Sequence, residues 1–104
     1  MKHPITITKK GHEYPDSGAI IYCGRGSLLG NPYVMKDKSE AERNRVCNLY
    51  EANFPSQPQE AECQRIAGYA RSMPVFLECF CAPKRCHAET VKLRVEEILK
   101  DIEP

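Results

Sequence analysis

The chain has almost no net charge: 15 Lys and Arg against 14 Asp and Glu leave +1 over 104 residues. Without an overall field the protein does not draw in nucleic acid or an anionic membrane nonspecifically, so any phosphate contact has to be local. Long apolar runs are missing too. No segment approaches the roughly 20 apolar residues that span a bilayer, and Met1-Lys2-His3-Pro4-Ile5 lacks the apolar stretch of a secretory signal. The expectation is a cytoplasmic protein with no membrane partner. There is no internal repeat, low-complexity segment or block of like charge, which leaves one domain over residues 1–104.

Cysteine, by contrast, is plentiful, with six residues. In a secreted chain of this size six cysteines would form a disulfide framework; in a reducing compartment they are thiols, metal ligands or nucleophiles. Cys23, Cys47 and Cys63 fall in apolar or helical patterns and read as core thiols.

Periodicity places six elements. Ile5-Thr6-Ile7-Thr8 alternates β-branched residues and Ala19-Ile20-Ile21-Tyr22-Cys23 is a second apolar run, which suggests two strands paired as a hairpin across turn material at Gly11 and residues 15–18. Ser39 with Glu42 forms a capping box ahead of a helix over 39–53, whose core face is Val46, Leu49, Tyr50 and Phe54. Pro55 ends it, and Ser56 with Gln59 starts a second helix over 57–71, with Pro58 in the first turn and an apolar face of Ala61, Ile66, Ala67 and Ala70. Residues 75–81 follow Pro74 as a buried strand, and 88–102 form an amphipathic helix facing the core through Val91, Val95, Ile98 and Ile102. The order β-β-α-α-β-α describes an α/β fold, a short sheet with helices packed on it.

Two segments carry chemistry. The first, Gly24-Arg25-Gly26-Ser27-Leu28-Leu29-Gly30-Asn31-Pro32, is too rich in turn residues for a regular element and sits at the end of a strand, the side on which open α/β sheets bind ligands. Glycines admit close backbone approach to a phosphate or carboxylate, and Arg25 offers a bidentate contact. The alternative is a tight turn whose arginine pairs with a surface acid. The loop is neither a P-loop nor a dinucleotide fingerprint, because no Gly-Lys-Ser/Thr ending occurs and Pro32-Tyr33-Val34 does not start a helix. Leu28 and Leu29 read as an exposed apolar pair, suited to a pocket wall or a partner surface.

The second segment is Cys79-Phe80-Cys81-Ala82-Pro83-Lys84-Arg85-Cys86-His87. Cys79 and Cys81 share one face of a strand, and Cys86 with His87 lies at the start of a helix. A thiol at a helix N-terminus beside an imidazole and near Lys84 and Arg85 is a candidate nucleophile, with His87 as base or donor. Glu78 and Glu89 are the nearby carboxylates, and neither is fixed to His87 by sequence. Zinc held by Cys79, Cys81 and Cys86 is the alternative, weakened because adjacent Cys86 and His87 rarely share one tetrahedral ion. A purely structural cluster, with Cys86 or His87 capping the helix, is the third reading. His3, His12 and Tyr14 read as surface or packing residues.

Taken in order, the two motifs resemble those of the domain of unknown function 4326 family, small proteins found mostly in bacteriophages and bacteria, with the patterns G-R-x-S-x-x-G-N-P and C-W-C-x-P-x-x-C-H-G. The resemblance covers about residues 18–100. Phe80 stands where the family usually has Trp, and Ala88 where it has Gly. The family's setting implies an accessory protein acting in the infected bacterial cytoplasm, and it transfers no reaction.

The functional expectation is a small anionic ligand, a nucleotide or another phosphorylated metabolite, bound between the two motifs. Gly24, Arg25, Gly26, Ser27, Gly30, Asn31, Cys79 and Cys81 would contact it, Cys86 and His87 would be catalytic if a cysteine-dependent transfer or hydrolysis occurs, and no cofactor is required. The competing expectation is a non-enzymatic protein that binds a host bacterial protein, the Cys/His cluster being structural or zinc-binding.

Overall fold

The computed structural model describes residues 3–9, 11, 18–80 and 84–102. The elements follow as β1 (Ile5–Lys9), β2 (Ala19–Tyr22), α1 (Glu40–Asn53), α2 (Gln57–Ala70), β3 (Val75–Cys79) and α3 (Ala88–Ile102), an α/β fold in the expected order.

The hairpin does not form. β3 lies between β1 and β2 and runs parallel to both, with Ile5 and Ala19 opposite Val75, and Ile7 and Ile21 opposite Leu77. Burial explains the order. A central parallel strand is covered on most sides and reads as a continuous apolar run, which Val75-Phe76-Leu77 supplies, whereas Thr6 and Thr8 suit β1 to an edge. Alternation then sorts the side chains. Ile5, Ile7, Ala19, Ile21, Val75, Leu77 and Cys79 join the core under the helices, and the residues between them belong to the opposite face.

Each helix begins as its local chemistry dictates. Ser39 accepts from the Glu42 N–H at 3.2 Å. The expected reciprocal bond is not made, because the Glu42 carboxylate is taken by the Lys36 N–H and by Arg45. Ser56 and Gln59 do form the full capping box, with Pro58 in the first turn. The buried stripe of α2 is Cys63, Ile66, Ala67 and Ala70. Ala61 is exposed, since the three-and-four spacing is anchored at Cys63 and not two residues earlier. In α3 the core positions are Val91, Val95, Ile98 and Leu99; Ile102, the last helical residue, is 43% exposed.

Candidate functional site

Because the three strands are parallel, β2 and β3 deliver both motifs to the same edge of the sheet. Cys23 extends the pairing by donating its N–H to the Glu78 carbonyl at 2.7 Å. Just past this point the 24–31 loop faces Phe80 and residues 85–87, with the first half of α1 as the third wall.

Between them lies a pocket of about 150 Å³ lined by Gly24, Arg25, Asn31, Tyr33, Met35, Arg43, Val46, Cys47, Cys79, Phe80, Arg85, Cys86 and His87. Of the ligand residues expected from sequence, Gly24, Arg25, Asn31 and Cys79 are brought together here, along with Cys86 and His87. Gly26, Ser27 and Gly30 are not in the lining; Cys81 lies outside the described residues, as do His12 and Tyr14. A larger open groove of about 660 Å³ runs between the start of β1 and α3, lined by His3, Leu93, Glu96, Glu97 and Lys100 among others. It contains neither motif and gathers more acid than base.

The loop's glycines serve its own shape. Gly26 has φ +91, a backbone that side chains rarely adopt, and a Cβ on Gly30 would run into the Gly24 carbonyl. The Ser27 N–H goes to the Gly24 carbonyl and the Gly30 N–H to the Ser27 carbonyl, at 3.1 and 3.0 Å. These amides close turns within the loop, so they do not supply the backbone cradle expected for an anion. Leu29 corrects a further expectation: it is 2% exposed and belongs to the core, while its neighbour Leu28 is 50% exposed.

Two side chains fasten the loop to α1. The Asn31 amide donates to the Val46 carbonyl at 3.0 Å and its oxygen accepts from the Tyr33 N–H at 2.9 Å. The buried Tyr50 hydroxyl donates to the Leu29 carbonyl at 2.8 Å. Burial, followed by the neighbouring Cys23, Cys63 and Cys86, pushes the Tyr50 hydroxyl up from its ordinary value and keeps it a donor. Its ring stacks on Phe54 and lies 5.0 Å from the His87 ring. Sequence reading placed Tyr50 on the core face of α1 and missed that it also roofs the histidine.

His87 is 7% exposed, and its Nε2–H donates to the Cys23 carbonyl. A carbonyl only accepts, so the neutral ring carries its hydrogen on Nε2 and presents Nδ1 as the acceptor. Nδ1 faces Cys86 Sγ at 3.6 Å. The arrangement is a thiol, an imidazole and a third group that orients the imidazole. The orienting group is a backbone carbonyl. Of the two carboxylates weighed from sequence, Glu89 accepts from the Cys86 N–H at 3.0 Å, and strand alternation puts Glu78 on the face opposite Cys79.

Cys86 also caps the helix. Its sulfur accepts from the Ala88 N–H at 3.4 Å and its carbonyl from the Glu89 N–H at 3.1 Å. The capping and nucleophile readings therefore describe one geometry. Cys23 and Cys63 lie outside the pocket lining, and desolvation pushes their thiols up to about 12. Among the described residues no group of three or more His, Cys, Asp or Glu is placed to hold a metal ion, and no helix is long and apolar enough to cross a membrane.

Three arginines reach the pocket lining, and they are not equivalent. Arg85 is engaged by the Asn44 and Asn48 side chains at 3.0 and 2.9 Å and by Glu51 at 3.4 Å. Arg43 makes one long bond to the Arg85 carbonyl at 3.4 Å. Neither Arg25 nor Arg43 forms an ion pair among the described residues. Arg43 was not anticipated from sequence. Only the start of a helix at Ser39, which puts residue 43 on the first turns beside the loop, could have pointed to it.

Fold and site together define a small parallel α/β protein with a cationic, thiol-floored pocket at the carboxyl ends of its strands. Residues 6–97 match the family described as Domain of unknown function (DUF4326), and the chain belongs to that family. No curated protein and no solved structure matches it.

Proposed function

We propose that the protein binds the anionic end of a small molecule, of nucleotide or other phosphorylated-metabolite chemistry, in the pocket between the 24–31 loop and the Cys86–His87 junction. The observation that carries this reading is the meeting of both motifs around one cavity with the guanidinium groups of Arg25 and Arg43. A guanidinium with uncommitted donors matches phosphate or carboxylate in geometry as well as charge. At about 150 Å³ the pocket is smaller than the roughly 300–1,000 Å³ typical of sites that enclose a drug-sized ligand. It suits a phosphate and its immediate attachment, with the rest of the molecule extending over the adjoining cleft of Lys38, Glu40, Arg43, Lys84 and Arg85.

The catalytic extension of this reading uses Cys86. Its thiol proton passes to His87 Nδ1, the sulfur attacks an electrophilic centre next to the bound anion, and the same proton returns to the leaving group. Replacing Cys86 by Ser then abolishes turnover while binding persists.

Isothermal titration calorimetry with inorganic phosphate and with AMP tests the binding step. Losing charge-assisted hydrogen bonds costs about 1.5–3 kcal/mol, so Arg25→Ala and Arg43→Ala should each weaken binding roughly tenfold or more, with unfolding temperatures unchanged. Absence of heat with either probe at millimolar concentration, or unaltered affinity in both variants, overturns the reading.

A further inference from the structure

Two thiols meet at the floor of the pocket. Cys79 ends β3 and Cys86 caps α3, and their Sγ atoms are 2.9 Å apart. A disulfide needs about 2.05 Å, so small side-chain rotations at the ends of two elements would close the bond. Both residues line the pocket, which gives a small reagent a route to otherwise buried sulfur.

We propose that Cys79 and Cys86 form a reversible dithiol/disulfide site whose reaction partner is a low-molecular-weight disulfide of the glutathione type. The inference rests on the sulfur geometry and not on the ligand reading above. In the first step the Cys86 thiol gives its proton to His87 Nδ1 and attacks one sulfur of the small disulfide. That S–S bond breaks, a mixed disulfide forms on Cys86, and the departing thiolate takes the proton from His87. In the second step Cys79 loses its proton and attacks Cys86 Sγ, releasing the other small thiolate, which takes up that proton. Two protein thiols are oxidised, and one small disulfide is reduced to two thiols.

The surroundings select this pair. All four thiols are buried, but Cys79 and Cys86 line the pocket whereas Cys23 and Cys63 do not, and desolvation holds the latter two in the thiol form. Cys47 does line the pocket, with its sulfur 3.9 Å from the Arg85 carbonyl. Bond formation consumes the Cys86 thiol that faces His87 Nδ1 at 3.6 Å. The oxidised protein would therefore lose its nucleophile.

The test is a peptide map of the full chain after equilibration in mixtures of reduced and oxidised glutathione, with remaining thiols trapped by alkylation. Cleavage after Arg85 separates Cys86 from Cys79 and Cys81, and fragmentation of the linked peptide distinguishes those two. The expected product joins Cys79 to Cys86, is lighter by two hydrogens, and disappears as reduced glutathione is raised. Cys23 and Cys63 should alkylate only after unfolding. In Cys79→Ser the mixed disulfide on Cys86 should persist where the wild type resolves it. A bond from Cys86 to Cys81 or Cys47, or no bond in any mixture, overturns the proposal. The wild-type map decides it even if the variant does not fold.

Discussion

Tyr50→Phe removes one atom from the junction of core and pocket, and its cost can be worked from the structure. The hydroxyl is buried and donates to the Leu29 carbonyl at 2.8 Å. Phenylalanine keeps the ring that stacks on Phe54 at 5.3 Å and neighbours His87 at 5.0 Å, so the change isolates the hydrogen bond. It leaves a buried carbonyl without this donor, at about 1–3 kcal/mol. For a domain of this size each kcal/mol moves the midpoint by roughly 4–8 °C, so the thermal transition followed by circular dichroism should fall by about 10 °C. Urea unfolding should show the same loss with an unchanged slope, because the surface exposed on unfolding is the same. A loss below about 0.5 kcal/mol would refute the reasoning, being no larger than an ordinary surface substitution. The 24–31 loop would then be held without this tether.

The adjacent leucines make a paired test. Leu29→Ala should cost about 2–5 kcal/mol as a core truncation, whereas Leu28→Ala, at an exposed position, should stay within about 0.5 kcal/mol; equal losses in urea unfolding would contradict the burial. Glu60 supplies a pH dependence. Arg94 grips its carboxylate through two bonds of 2.8 Å, and Gln64 adds a third, which together hold its pKa down at about 2 against an ordinary 4.5. A depressed folded-state pKa means the stabilisation is fully present above the unfolded value and is lost as pH falls from there towards about 2. Because the pair is on the surface its worth is about 0.5–1 kcal/mol. Glu60→Gln should therefore lower the urea midpoint slightly near neutrality and not at all near the acid limit, and a gap between the two proteins that persists in acid would refute the assignment.

Local structure was legible where one residue decides it. Ser56 with Gln59, Pro74 and the Val91-Val95-Ile98 stripe fixed helix ends and faces without help from the rest of the chain. What could not be read is what depends on distant partners. The alternation of Ile5-Thr6-Ile7-Thr8 says strand but not neighbour, and β1 waits for β3, which enters the sequence some 65 residues later. The same limit applied to the Glu42 carboxylate, drawn off by Lys36 and Arg45, and to Leu29, which looks exposed beside Leu28 until Tyr50 and the core enclose it. Within the site, the Cys86–His87 pair was visible because it is contiguous. Arg43 and the Cys23 carbonyl were not, since only the parallel sheet and the start of α1 bring them there.

The site's residues divide by what else depends on them. Asn31 and Tyr50 tie the loop to α1, and Cys86 caps α3 while facing the histidine. His87 is buried against the Cys23 carbonyl, so its loss would remove the bond that links the residue after β2 to the residue before α3. Substituting Asn31, Tyr50 or His87 changes folding and pocket at once, and a loss of binding or turnover in such a variant identifies neither cause, whereas Cys86→Ser keeps a side chain that can cap the helix. Arg25 and Arg43 are different. They form no ion pair among the described residues, they carry no part of the core, and they meet only where the two motifs converge. Arg25 is exposed and Arg43 has one long bond of 3.4 Å to the Arg85 carbonyl, so truncating either removes little that holds the fold. A variant at either position that melts unchanged but binds phosphate or AMP less well would therefore report on the proposed binding alone.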